Sequence, residues 1–181
     1  MKVIIKTRLG WAHLWEAVDF KGDQVYNYDA KFMVEAGSEA DKTIKAAIQT
    51  VAEERWKDKA KAMLASFGGN KMQNCYVDGA IDGYDNTMVL TSKRKQDQGR
   101  PDVRDRDTTP LTEKDGKPYS GCYVVGVVDI WAQDGNGYKG IRCQLLGIQF
   151  VKDGPAFSQS KKAADDDFAD LGVLEEDEMF S

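Results

Sequence analysis

The chain has one histidine, three cysteines and no long apolar run among its 181 residues, and each shortage removes a class of function. His13 stands between Ala12 and Leu14 with no second histidine and no cysteine at ligand spacing. No metal site is therefore expected and no cofactor is implied. Cys75, Cys122 and Cys143 form no C-x-x-C pair. An odd count without an export signal fits reduced, buried thiols in a cytoplasm rather than a disulfide framework. No stretch approaches the roughly 20 apolar residues of a membrane helix. The opening "MKVIIKTRLG" has an apolar run of only three residues, so it does not read as a signal peptide. G-x-S-x-G and P-loop patterns are also missing, as is any Cys/His pair in evident register.

What is present is charge, unevenly distributed. The whole chain carries a net charge of -5, yet eight acids and no base fall between Ala163 and the last residue. Without those eight, 25 bases face 22 acids, and the body is mildly positive. Six bases concentrate in "SKRKQDQGRPDVRDRD": Lys93, Arg94, Lys95, Arg100, Arg104 and Arg106. An acidic chain with a basic body and an acidic tail does not exclude a polyanionic partner, whatever its overall isoelectric point.

The hydrophobic pattern is mainly that of strands. "VIIKTRL" alternates, with Val3, Ile5, Thr7 and Leu9 on one face and Lys6 and Arg8 on the other. "LWEAVDF" and "QVYNYDAKFMV" flank the turn signal "KGD" and predict a hairpin. Its second arm puts Tyr26, Tyr28, Ala30, Phe32 and Val34 on one face, assigned to core. "SEADKTIKAAIQTVAEERW" predicts a helix, with Ser38 and Asp41 as capping residues and Ile44, Ile48 and Val51 as an apolar stripe. "KDKAKAMLASF" predicts a second helical piece stopped by Gly68-Gly69. A strand over Thr87–Lys93 leads into a segment without periodicity, Gln96 to Tyr119, of a length that is usually functional or disordered. "GCYVVGVVDIWAQ" places Cys122, Val124, Gly126, Val128 and Ile130 on an apolar face and Tyr123, Val125, Val127, Asp129 and Trp131 on the other. "DGNG" turns the chain into a last strand whose phase changes near Leu145–Gly147, which predicts a bulge. The expected fold is mainly β with a helical insertion: an OB-like barrel of five to six antiparallel strands plus one or two helices. Residues 1–157 are expected to form one domain and residues 158–181 a disordered acidic tail.

Two chemistries compete for the polar residues. Asp102 after Pro101, with Asp115 and Lys117 in "DGK", matches the spacing of metal-dependent nucleases, in which two carboxylates hold Mg²⁺ and a lysine polarises the attacking water. The context opposes it, because "EKDGKPYSG" reads as a turn and not as the apolar strand such a site requires. A single-stranded nucleic acid asks instead for cations along the phosphates and flat side chains under the bases. Lys93, Arg94, Lys95, Arg100, Arg104 and Arg106 supply the first, with Lys6 and Arg8. Tyr123 and Trp131 supply the second; Trp11 and Tyr84, beside strand ends, are weaker candidates. Asp97, Asp102, Asp105 and Asp107 interrupt the basic segment, so pairing of Asp105 with Arg104 or Arg106 could equally make it a shaped, self-paired surface.

The succession "KVIIKTRLGWAHLWEA", "EERWKDKA", "RPDVRDRDTTPL", "DGKPYSGCYVVGVVDIWAQ" and "GIQFVKDGPAF" resembles a family of bacteriophage single-stranded DNA-binding proteins with an OB fold. The resemblance runs from about Lys2 to Phe157. It implies sequence-independent coating of single-stranded DNA in phage replication, recombination or repair, in the host cytoplasm, without catalysis or metal. The acidic end is similar to tails that recruit replication or recombination proteins through acids and a phenylalanine, here Asp177, Glu178 and Phe180, and that compete with DNA for the basic surface. In this sequence Ser181 follows Phe180, a departure from tails ending on the aromatic. A homodimer is left open.

Overall fold

The alternation of the first strand sets up everything around it. In β1 (Lys2–Val18) Val3, Ile5 and Leu9 are buried while Lys2, Ile4 and Lys6 face outward. The computed structural model describes residues 1–79 and 84–157; the expected tail, with Asp177, Glu178 and Phe180, lies outside the described residues. The runs read as separate strands, "VIIKTRL" and "LWEAVDF", are one continuous strand. It changes phase at a bulge between Leu9 and Ala12 in its pairing with β2 (Asn27–Glu35). Gly10 permits that bulge: a Cβ there would come within 2.9 Å of both the Lys31 carbonyl and the Met33 sulfur.

After β2 come α1 (Glu39–Trp56) and α2 (Ala60–Phe67), then β3 (Tyr76–Asp78), β4 (Thr87–Lys95), β5 (Asp102–Arg104), β6 (Tyr123–Gly135) and β7 (Tyr138–Lys152). Antiparallel ladders join β1 to β2 and β6, β2 to β4, and β6 to β7. A parallel contact at Lys93 and Gln144 joins β4 to β7. The ring β1-β2-β4-β7-β6 is a closed five-strand barrel of OB type, which leaves no open edge within the ring. Alternation alone marks inward and outward residues but not strand direction, so the parallel closure is not among the expected antiparallel pairings. The two short strands extend the sheet: β3 pairs with β4, and β5 runs parallel to β7. The second of these lies inside the segment read as aperiodic, because three residues are too few to show a period.

The barrel interior is filled from alternate positions of each strand. Phe32, Leu90, Cys122, Val124, Val128, Ile130 and Leu145 are fully or almost fully buried, and Gly126 gives room for the Phe32 ring. Fully burying each large apolar side chain contributes about 1.5–3 kcal/mol relative to exposure. The predicted bulge in the last strand is present: Val127 pairs with Gly147 and Val128 with Leu145, skipping Leu146. In β2 the inward face begins at Ala30. Tyr28 is half-buried and Tyr26, assigned to core from the same alternation, is 46% exposed because it precedes the strand at the barrel rim.

Helix α1 starts as its sequence predicts. The Ser38 side chain accepts the Asp41 N–H, and Ile44, Ile48 and Val51 are buried. The helix packs chiefly against β6, α2 and β1. At its end Trp56 Nε1 donates to the Asp134 carboxylate at 2.8 Å and Arg55 donates to the Asp134 carbonyl, which ties α1 to the β6–β7 turn. No helix among the described residues is long and apolar enough to cross a membrane.

Candidate nucleic-acid interface

The strand register brings part of the sequence-derived set together and separates the rest. Arg8 of β1 lies opposite Tyr123 of β6, and Tyr123 lies opposite Lys152 of β7. That row borders a groove of about 830 Å³, lined also by Lys6, Tyr84, Arg106 and Phe157. Its position follows from chain parity. Lys6 and Tyr123 point away from the barrel interior because Ile5 and Val124 point into it. Tyr123 is 37% exposed and the Lys152 Nζ lies 4.6 Å from its ring centroid. Among the described residues Lys6, Arg106 and Lys152 form no ion pair, so their charge is available to an outside anion. Glu35 and Asp85 also line the groove, so its charge is mixed and its positive side lies along β1, β6 and β7.

Arg8 is held more closely than a surface cation. Its Nε donates to the Gly121 carbonyl at 3.1 Å and its terminal nitrogen donates to the Pro155 carbonyl. The guanidinium carbon lies 4.0 Å from the Phe157 ring centroid and 5.6 Å from those of Tyr84 and Tyr123. Phe157 and Lys152 belong to the groove without having been singled out in the sequence. Lys152 carries the signal of an outward phase at the end of the last strand. Phe157 follows the strands and has no periodicity to mark it.

A second group sits at the far end of β4. Lys93 and Lys95 are exposed. Arg94 has the parity of the buried Leu90 and Ser92, so it turns toward the barrel end. There it donates to the carbonyls of Gly99 at 2.8 Å, Gln98 at 2.7 Å and Leu145 at 3.4 Å. Arg100 is exposed, its guanidinium carbon 5.2 Å from a Trp15 ring centroid. Trp131 is 39% exposed and lies opposite Arg142 on β7, whose guanidinium is 3.7 Å from the Tyr138 ring. Eight residues of strand separate Tyr123 from Trp131, about 27 Å at the usual rise, so the two rings address different parts of any bound chain.

The residues of the nuclease reading are each engaged elsewhere. Asp102 pairs with Arg104 at 2.8 Å. Asp115 accepts the Thr112 N–H at 2.7 Å and its hydroxyl at 2.9 Å, closing a turn. Lys117 pairs with Asp105 at 2.7 Å, and that hydrogen bond, more than any other contact, holds the Asp105 carboxyl below its usual range. Asp105 therefore meets Lys117, not the side chains of Arg104 or Arg106 considered from sequence. Among the described residues no three His, Cys, Asp or Glu side chains are grouped to hold a metal ion. His13 Nδ1 is 2.7 Å from the buried Asp29 carboxylate, and the three cysteines are buried and free.

The family model for the ssDNA-binding protein of Enterobacter phage Enc34 matches residues 1–180. "Putative protein p50" of Acyrthosiphon pisum secondary endosymbiont phage 1 is 36% identical over 179 residues, covering 96% of this chain and 95% of that protein. The structure of the single-stranded DNA-binding protein from bacteriophage Enc34 in complex with ssDNA matches with a TM-score of 0.68 at 20% identity. The match covers 87% of this chain and 89% of that one. The single-stranded DNA-binding protein gp2.5 of bacteriophage T7 matches with a TM-score of 0.54 at 13% identity, over 97% and 100% of the two chains. At these identities the structural matches establish the fold.

Proposed function

Since the chain belongs to the phage single-stranded DNA-binding family represented by the Enc34 protein, we propose that it coats single-stranded DNA without regard to base sequence during phage replication, recombination or repair. The observation that carries this reading is the Arg8–Tyr123–Lys152 row across β1, β6 and β7, set beside a groove that also receives Lys6 and Arg106. Aromatic faces accept any base, and cations follow a phosphate chain whatever its sequence. Lys93, Lys95 and Arg100 extend the positive track at the other end of the barrel, where Trp131 supplies a second stacking face. Arg94 and Arg104 shape their loops in this reading, through the carbonyls and the aspartate they engage. No catalytic step is assigned, since Asp102, Asp115 and Lys117 each serve a local contact.

Residues 1–157 act as the binding domain in this proposal, and residues 158–181 as a tail that competes with phosphates and offers Asp177, Glu178 and Phe180 to replication or recombination proteins of the infected bacterial cytoplasm. The test is titration of labelled oligo-dT across a salt series. Six cations on phosphates (Lys6, Lys93, Lys95, Arg100, Arg106 and Lys152) give a slope of log K against log salt near about -4, at roughly 0.7 per contact. Salt-insensitive binding, or equal affinity for duplex DNA, would overturn the reading.

A further inference from the structure

Arg8 leaves β1 on the outward face, where a phosphate contact is the simplest expectation, but its surroundings assign it other work. The guanidinium already donates to two backbone carbonyls, those of Gly121 and Pro155, and one of its faces is covered by the Phe157 ring 4.0 Å away. Phe157 is buried; it meets Tyr84 edge-on with centroids 4.8 Å apart and Trp11 at 6.5 Å. The rings around it are the open ones: Trp11 is 42% exposed, Tyr123 is exposed and Tyr84 is half-buried. Two glycines let the backbone after β7 reach Arg8. A Cβ on Gly121 would collide with the Pro155 carbonyl, and a Cβ on Gly154 would collide with the Gly121 carbonyl. The 154–157 segment thus lies directly on the turn that precedes β6.

We propose that Arg8 is a positioning residue for single-stranded DNA binding: it docks Pro155 and Phe157 so that Trp11, Tyr84 and Tyr123 stand around them as a three-ring platform for unstacked bases, and it does not itself neutralise a phosphate. This rests on the single-stranded DNA reading above and adds the roles of Arg8, Phe157, Trp11 and Tyr84 to it. A lysine cannot replace Arg8, because an ammonium on a flexible stem does not stack on Phe157 while bonding two carbonyls in one plane. The charge at position 8 is therefore not what matters; its planar, forked geometry is.

The experiment measures oligo-dT affinity over a salt series for the full chain and for Arg8→Lys, Arg8→Met, Phe157→Ala and, as a comparator, Lys6→Met. Both Arg8 variants and Phe157→Ala are expected to bind about tenfold more weakly, the scale of one lost stacking contact, with the wild-type salt slope. Lys6→Met is expected to make the slope shallower by about 0.7. The proposal is overturned by an Arg8→Met slope reduced by that amount while Arg8→Lys keeps wild-type affinity, or by a Phe157→Ala protein that binds as wild type. Phe157 lies outside the barrel's main hydrophobic cluster, so its variant decides the matter even where an Arg8 variant fails to fold. Wild-type protein with no affinity for oligo-dT would overturn the single-stranded DNA reading itself.

Discussion

Asp41 carries a buried charge in the first turn of α1, and both its oxygens are used. Oδ1 accepts the Tyr76 hydroxyl at 2.7 Å; Oδ2 accepts the Gly37 N–H at 2.8 Å and Lys45 at 2.9 Å. Burial alone would push this carboxyl up, but the hydrogen bonds from Lys45, Gly37 and Tyr76 outweigh burial and hold it below its ordinary value. A carboxyl depressed in the folded state adds stability that is present above its unfolded value, about 3.9, and is lost as pH falls through the folded value. Burial, with the Asp41 hydrogen bond second, pushes the Tyr76 hydroxyl up, so Tyr76 stays a donor over the whole working range. In urea melts the wild type is expected to lose stability below about pH 4, while Asp41→Asn, about 1–3 kcal/mol less stable at neutral pH, shows a flatter acid limb. Equal pH profiles for the two proteins would mean that the Asp41 network does not couple to folding.

At the scale of elements, β6 is the strand whose sequence says most. Its alternation names the buried face and the exposed Tyr123 and Trp131, and the ladder to β1 and β7 keeps both facts in register. Gly126 is the one gap in that buried face; a Cβ there would lie 2.7 Å from the Phe32 ring and 3.3 Å from Ile5. Gly126→Ala is expected to destabilise the barrel by about 1–3 kcal/mol through overpacking, read as a lower denaturant midpoint with the same slope. The same strand separates its two rings by about 27 Å. Trp131→Ala is therefore expected to weaken binding of long oligonucleotides and leave those too short to span both rings unchanged, in a fluorescence titration against oligo-dT length. Helix α1, with its serine cap and apolar stripe, was equally legible, because those signals are local. The short strands β3 and β5, the parallel closure of β4 on β7 and the docking of Phe157 on Arg8 were not. Each depends on a partner distant in sequence and leaves no period of its own. Tyr26 shows the converse limit, since alternation extrapolated one residue beyond the start of β2 names a core residue that is exposed.

For the whole molecule the separation of charge matters more than its total. The body carries 25 bases against 22 acids and the stretch from Ala163 carries eight acids without a base, so in the proposed reading that stretch rivals DNA phosphates for the same basic surface. Removing residues from Ala163 onward is expected to tighten oligo-dT binding, most at low salt where screening is weakest. Unchanged affinity in a paired titration would take the tail out of the binding equilibrium. The barrel's closure also has a consequence in time. Arg8 is paired with Tyr123, 115 positions later in the chain. At synthesis speeds of about 5–20 residues per second, β1 waits roughly 6–23 s on the ribosome with one edge bare before its second neighbour exists. The nascent barrel is thus an open sheet for most of its synthesis, with an unpaired β1 edge until β6 and β7 emerge to close the ring.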